Sequence, residues 1–197
     1  MHNTNIKFWK KRLSDPFVHE EDVRLTGFAL FALGILAAVL HQHLRMGLNL
    51  PGHHGLEWMT ILLFARMQSS YRWAGVIVAS GAATAYLLQA SYLPLAHTIK
   101  PAFIYLLNGY CLDILIRYTP SKLPLFIKGM ILGGISFMAK PVLLIPVALV
   151  FDISFGSFSK HGYLFPVITH FAFGSIGAFA GIYLASLADY GLKKHQS

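Results

Sequence analysis

Apolar residues fall into six blocks separated by short polar stretches, from about Leu25 to Leu44, Gly55 to Met67, Trp73 to Leu93, Pro101 to Tyr118, Leu125 to Phe151 and Tyr163 to Tyr190. A bilayer core about 30 Å thick is crossed by roughly 20 apolar helical residues. The pattern therefore predicts an all-α, polytopic membrane protein whose residues 25–190 form a six-helix transmembrane bundle. Residues 1–24 are expected to be a cytoplasmic or interfacial segment and 191–197 a cytoplasmic tail. The second block is short. As a helix of about 13 residues it reaches only about 20 Å, so it must tilt, be extended by snorkelling of Arg66 and Gln68, or re-enter. In the fifth block Pro141 and Pro146 remove backbone donors and are expected to kink the helix.

Composition agrees, with 55% hydrophobic and 12% charged residues. A net charge of +8 could suggest nucleic acid, but in a membrane protein loop Lys and Arg set orientation instead. With six crossings, the ends on the N-terminal side collect Lys7, Lys10, Lys11, Arg12, Arg24, Arg66, Arg72, Arg117, Lys122, Lys128, Lys193 and Lys194. The opposite ends hold only Arg45, Lys100 and Lys160. Both termini are thus predicted to be cytoplasmic. An odd number of crossings would move Lys193 and Lys194 outside and spoil the asymmetry. The acidic first 24 residues do not fit a secretory signal, and Phe8 and Trp9 read either as an interfacial anchor or as part of a basic tail. The lone Cys111 excludes a disulfide framework and any multi-cysteine metal site.

Small residues recur at helix-packing spacing: Gly34 and Ala38, Ala79 and Ala83, Gly81 and Ala85, Gly174 and Ala178, Gly177 and Gly181. They let helix backbones approach closely in lipid, either inside the bundle or against a partner.

Histidines gather at the outer end. His41 and His43 close the first block, NLPGHHGLEW precedes the second, and His97 lies in the next outer loop. A helix starting near His53 would put Glu57 one turn from both His53 and His54. His41 and His43, two residues apart, point to different faces, so only one of them joins any site. Three readings stay open: His41, His53, His54, Glu57 and His97 as ligands of a transition-metal ion, hydrogen bonding to an organic ligand, or a structural role. Within the spans, Lys140 lies about 16 Å below the outer boundary and His170 about 10 Å below it. An ammonium group at that depth is costly unless paired or facing water. It either pairs with Glu57 or Asp113 or lines a ligand cavity, where it would meet a carboxylate or phosphate. Asn108 can face the same interior, with Trp58, Tyr105, Tyr110 and Phe137 as lining candidates. Asp113 has Arg117 one turn on and is expected to form a local pair with it.

Six spans in under 200 residues, a short second helix after a Pro-Gly loop, Gly34 and Ala38 on helix one, and HFAFGSIGAFAG in the last span together resemble the substrate-binding S components of energy-coupling factor (ECF) micronutrient transporters. The resemblance is architectural and spans about Leu25 to Tyr190. It implies a multi-pass subunit of a bacterial inner membrane that captures a vitamin-like molecule or transition-metal ion. Delivery would pass through a transmembrane coupling protein with two ATPase subunits, and the chain itself has no Walker A sequence. The expected substrate-binding residues are His53, His54, Glu57, Asn108, Lys140 and His170, and no catalysis is expected. Two rivals are an intramembrane metal enzyme with Glu57 as general base, which lacks an HExxH sequence, and a ligand-free membrane scaffold.

Overall fold

Proline and glycine decide where the helices begin. The structure, a computed structural model, describes residues 26–43, 50–91, 94–119, 123–152 and 160–194. The expected anchor at Phe8 and Trp9, with the rest of residues 1–24, lies outside them. All regular structure among the described residues is helical: α1 (Gly27–His43), α2 (Gly55–Met67), α3 (Ala74–Leu87), α4 (Leu95–Tyr118), α5 (Leu125–Phe137), α6 (Ala139–Phe151) and α7 (Leu164–Lys194). A 3₁₀ turn, Leu88–Ser91, follows α3.

The start of α4 differs from the sequence expectation, while the fifth block breaks where Pro141 is expected to disturb it. Helix α4 starts after Pro94 and carries Pro101 inside it, so the helix begins six residues earlier than the apolar block. A proline's fixed φ suits a helix, and this one removes a single backbone bond near the helix start. The fifth block is a 27-residue helical stretch, Leu125–Phe151, interrupted at Met138. Pro141 explains the interruption: it has no N–H for the Phe137 carbonyl, and its ring crowds that carbonyl.

Helix α7 packs against α2 and α5, while α3 packs against α1 and α4. The small residues lie in these contacts. A Cβ on Gly34 would run into the Val78 carbonyl of α3, and one on Gly81 into the Phe31 carbonyl of α1. On α7, Gly177 faces the Gly55 and Leu56 carbonyls at 2.6 Å from an added Cβ, and Gly181 faces the Thr60 carbonyl. Gly34 and Ala38 are therefore buried inside the bundle, against α3. Gly34→Ala should destabilise the protein by more than about 1 kcal/mol, because its Cβ meets backbone that cannot swing away. Gly27→Ala, with nothing within 4 Å of the new Cβ, should be neutral or stabilising by up to about 1 kcal/mol. Thermal unfolding in detergent checks the pair, and equal effects would contradict the contact.

Met59, Leu62, Leu63, Val78, Leu112 and Ile182 fill the centre. Outside, Val142, Leu149, Val150, Ile168, Phe179 and Tyr183 are exposed, while Thr98, Asn108, Asp113, Ser136 and Asp189 are buried. Large apolar side chains outside, with charged and polar ones kept in the interior, depart from the arrangement expected in water. Three stretches, His97–Tyr118, Leu125–Phe151 and Leu164–Tyr190, are long and apolar enough to cross a membrane. The exposed side chains are then a lipid surface, and the chain is a membrane protein. Interior hydroxyls and amides tie the helices together: Ser136 Oγ donates to the Asn108 carbonyl at 2.7 Å, Ser175 Oγ to Met130 at 2.9 Å, and Gln68 Nε2 to Ala185 at 3.1 Å.

Asp113 does not pair with Arg117. Its Oδ1 lies 3.2 Å from Arg66 Nε, and its two oxygens accept the N–H groups of Gly75 (3.2 Å) and Val76 (2.9 Å). These are first-turn amides of α3, which lack partners inside their own helix. Arg117 instead is exposed, its guanidinium 5.5 Å from the Tyr118 ring centroid. Arg66 and Gln68 are buried, so neither snorkels to lengthen α2.

Candidate metal and ligand site

The turn before α2 is shaped by Pro51 and Gly52. Gly52 has φ 82°, a left-handed conformation that glycine adopts without strain. A Cβ there would also meet His170 Nδ1 at 2.8 Å. Glycine thus lets the turn fold down onto α7. The Gly55 N–H bonds to the Gly52 carbonyl at 2.8 Å, and α2 begins at Gly55, two residues later than the expected start near His53.

This register puts Glu57 one turn along α2 from His54. Helix α1 ends beside the turn and brings in His41, whose ring centroid is 4.0 Å from that of His54. One donor atom from each of His41, His54 and Glu57 lies within 4.8 Å of the other two. Tetrahedral ligands about 2.1 Å from a zinc ion are about 3.4 Å apart, so side-chain rotations of roughly an ångström would close the set on an ion. Two imidazoles and a carboxylate suit Zn²⁺, Co²⁺ or Ni²⁺.

His41 and His54 also line a cavity of about 170 Å³, together with Trp58, Tyr105, Asn108, Phe137, Lys140 and His170, and with Gly52, Tyr86, Lys100, Pro101 and Ile104. His170 Nδ1 contacts the Pro166 carbonyl at 2.6 Å. That bond places the ring proton on Nδ1 and leaves Nε2 as an acceptor without a partner. The ring stacks on Phe137 at 5.2 Å. Neither expected carboxylate neutralises Lys140: Asp113 belongs to Arg66, and both Glu57 oxygens lack a partner.

Unsatisfied polar atoms concentrate here. His41 Nδ1, His54 Nδ1, Glu57 Oε1 and Oε2, Trp58 Nε1, Asn108 Oδ1 and His170 Nε2 are all buried with no hydrogen-bond partner among the described residues. A folded protein leaves only a few such atoms per hundred residues, because each costs about 1–3 kcal/mol. A group of them at one cavity suits the binding of a polar ligand or metal ion. Burial, aided by neighbouring His41 and His53, lowers the His54 pKa from 6.5 to about 3, so its ring is neutral and able to bind metal at pH 7. Since the folded value is the lower one, His54 stabilises the fold above pH 6.5, and that contribution is lost as pH falls towards 3.

Comparison with protein-family models, curated proteins and solved structures finds no match.

Several candidate residues lie elsewhere. His53 lies against His54, with ring centroids 3.7 Å apart and the rings tilted by 42°, but directs Nδ1 at the Leu50 carbonyl, 2.6 Å away. His43 is exposed. His97 is exposed in the first turn of α4, outside the three-residue group, because α4 begins before it rather than after it. Tyr110 is exposed and stacks on Trp73 at 5.9 Å. In the other direction, Tyr86, Lys100 and Ile104 line the cavity without having been singled out from the sequence. Tyr86 is the last polar group near the end of α3, and that position was its only signal.

Proposed function

We propose that this chain is a six-span subunit of a bacterial inner membrane, with both termini cytoplasmic, that captures a transition-metal ion near its outer end for uptake. The observation that carries the reading is the convergence of the unpartnered donor atoms of His41, His54 and Glu57 beside a largely apolar cavity that also holds Asn108, Lys140 and His170. The cavity's size favours an ion or a very small molecule over a vitamin. Its volume of about 170 Å³ is close to the roughly 150 Å³ that holds benzene and below the about 300–1,000 Å³ of usual organic-ligand sites. The subunit would be non-catalytic and would depend on a separate ATP-driven coupling protein. That partner would need a face other than Gly34 and Ala38, which are buried against α3.

Purified protein loaded with Co²⁺ or Zn²⁺ and desalted should retain one ion per chain by elemental analysis. At 100 times Kd the ion should stabilise the fold by about 2.7 kcal/mol. Protein that keeps no Zn²⁺, Co²⁺ or Ni²⁺, and whose melting none of them shifts, would remove the proposal.

A further inference from the structure

The three-residue metal group uses only part of the chamber's chemistry. The same cavity is also lined by Lys140, Asn108, Trp58 and His170. Asn108, Trp58 and His170 are 1%, 2% and 4% exposed, and each holds an unpartnered polar atom. Lys140 lines the same space, and among the described residues no carboxylate forms an ion pair with it. A bare divalent ion accounts for His41, His54 and Glu57 and makes the other group harder to explain, because it adds positive charge near an ammonium group that has no counter-ion among the described residues. His, His and Glu also fill only three positions of a tetrahedral ion and leave one for an exogenous donor.

We infer that the chamber takes its metal ion together with a small carboxylate-bearing chelator of α-amino-acid or α-hydroxy-acid size, the carboxylate meeting Lys140 and a second donor filling the open metal position. The inference rests on the metal-capture reading above. Charge and hydrogen bonding both support it. A carboxylate neutralises Lys140 and can accept from the Trp58 indole N–H, while an amine or hydroxyl on the same molecule can donate to Asn108 Oδ1 or His170 Nε2. Size supports it too, since about 170 Å³ admits a molecule of around six non-hydrogen atoms, roughly that of benzene.

The test uses full-length protein in detergent, with Co²⁺ as probe and glycine or ethanolamine as the second ligand. The two compounds share an amine, but only glycine has a carboxylate. Co²⁺ affinity is read by calorimetry and its coordination by the visible absorption spectrum. Glycine should tighten Co²⁺ retention at least tenfold and change the spectrum, and ethanolamine should do neither. In Lys140→Met the glycine effect should vanish while bare Co²⁺ binds more tightly than in the parent, because a neighbouring positive charge is gone. If parent protein binds Co²⁺ but glycine acts no differently from ethanolamine, or if Lys140→Met keeps the glycine effect, the chelator inference fails and metal capture stands. Absence of Co²⁺ binding with or without glycine would overturn both. The glycine and ethanolamine comparison needs no variant, so it decides the matter even if Lys140→Met fails to fold.

Discussion

Asp113→Ala should destabilise the protein by about 3–5 kcal/mol, the range for breaking one side of a buried ion pair, and more than Arg66→Met. The order follows from what each variant leaves behind. Asp113 joins three helices: it sits on α4, faces Arg66 of α2 at 3.2 Å, and accepts the Gly75 and Val76 amides of α3. Alanine therefore strands a guanidinium, 8% exposed at the side chain, and orphans two first-turn amides. Arg66→Met leaves the carboxylate with both amide bonds and the positive end of the α3 dipole. Combining Arg66→Met with Asp113→Ala should recover part of the Asp113→Ala loss, since no unpaired guanidinium remains in the double variant. Denaturation in detergent measures all three, and Arg66→Met equalling or exceeding Asp113→Ala would rule out the three-helix role.

That pair also marks a boundary of what the chain makes legible. Sequence spacing shows neighbours on one helix, so Arg117 four residues after Asp113 looks like its partner. The actual partner lies 47 positions away by number, 113 against 66, and local periodicity carries no information about it. The decisive feature was the need of α3's first amides for an acceptor, which becomes visible only when α4 is seen beside α3. Helix positions were easier to read, because apolar blocks have to match lipid thickness whatever their neighbours. Pro141 gave the interruption near Met138, whereas Pro101 misled: a proline that can start a helix can also be carried within its early turns.

The candidate site divides in the same way. Lys140, His170 and Asn108 could be singled out because a polar group deep in an apolar block has few places to go, and all three line the cavity. The choice between His41 and His43 could not be made without the rotation of α1 against α3, which Gly34 and Gly81 set through backbone contact. His97 was placed by loop position alone, and an extra turn and a half of helix before Pro101 carries it onto an exposed face.

Glu57→Gln should lower Zn²⁺ or Co²⁺ affinity by about 100-fold or more, at least the upper end of what loss of a residue merely supporting a metal ligand produces. The substitution keeps size and hydrogen-bonding shape but removes the one negative charge in the His41, His54 and Glu57 group. A hundredfold loss is about 2.8 kcal/mol, a reasonable cost for bringing a divalent ion to two neutral imidazoles and an amide in a partly dry site. His54→Ala should produce a similar loss by removing a donor that is already neutral at pH 7. His97→Ala, exposed and outside the group, should bind as the parent does. Desolvation supplies a further distinction. Protons do not compete for His54 until pH approaches 3, whereas an ordinary histidine is mostly protonated by pH 5. Between pH 7 and 5 the His54→Ala variant and the parent should therefore differ by a nearly constant factor. A gap that closes as pH falls to 5 would show that His54 is freely hydrated, and equal affinity in Glu57→Gln and the parent would place the ion elsewhere.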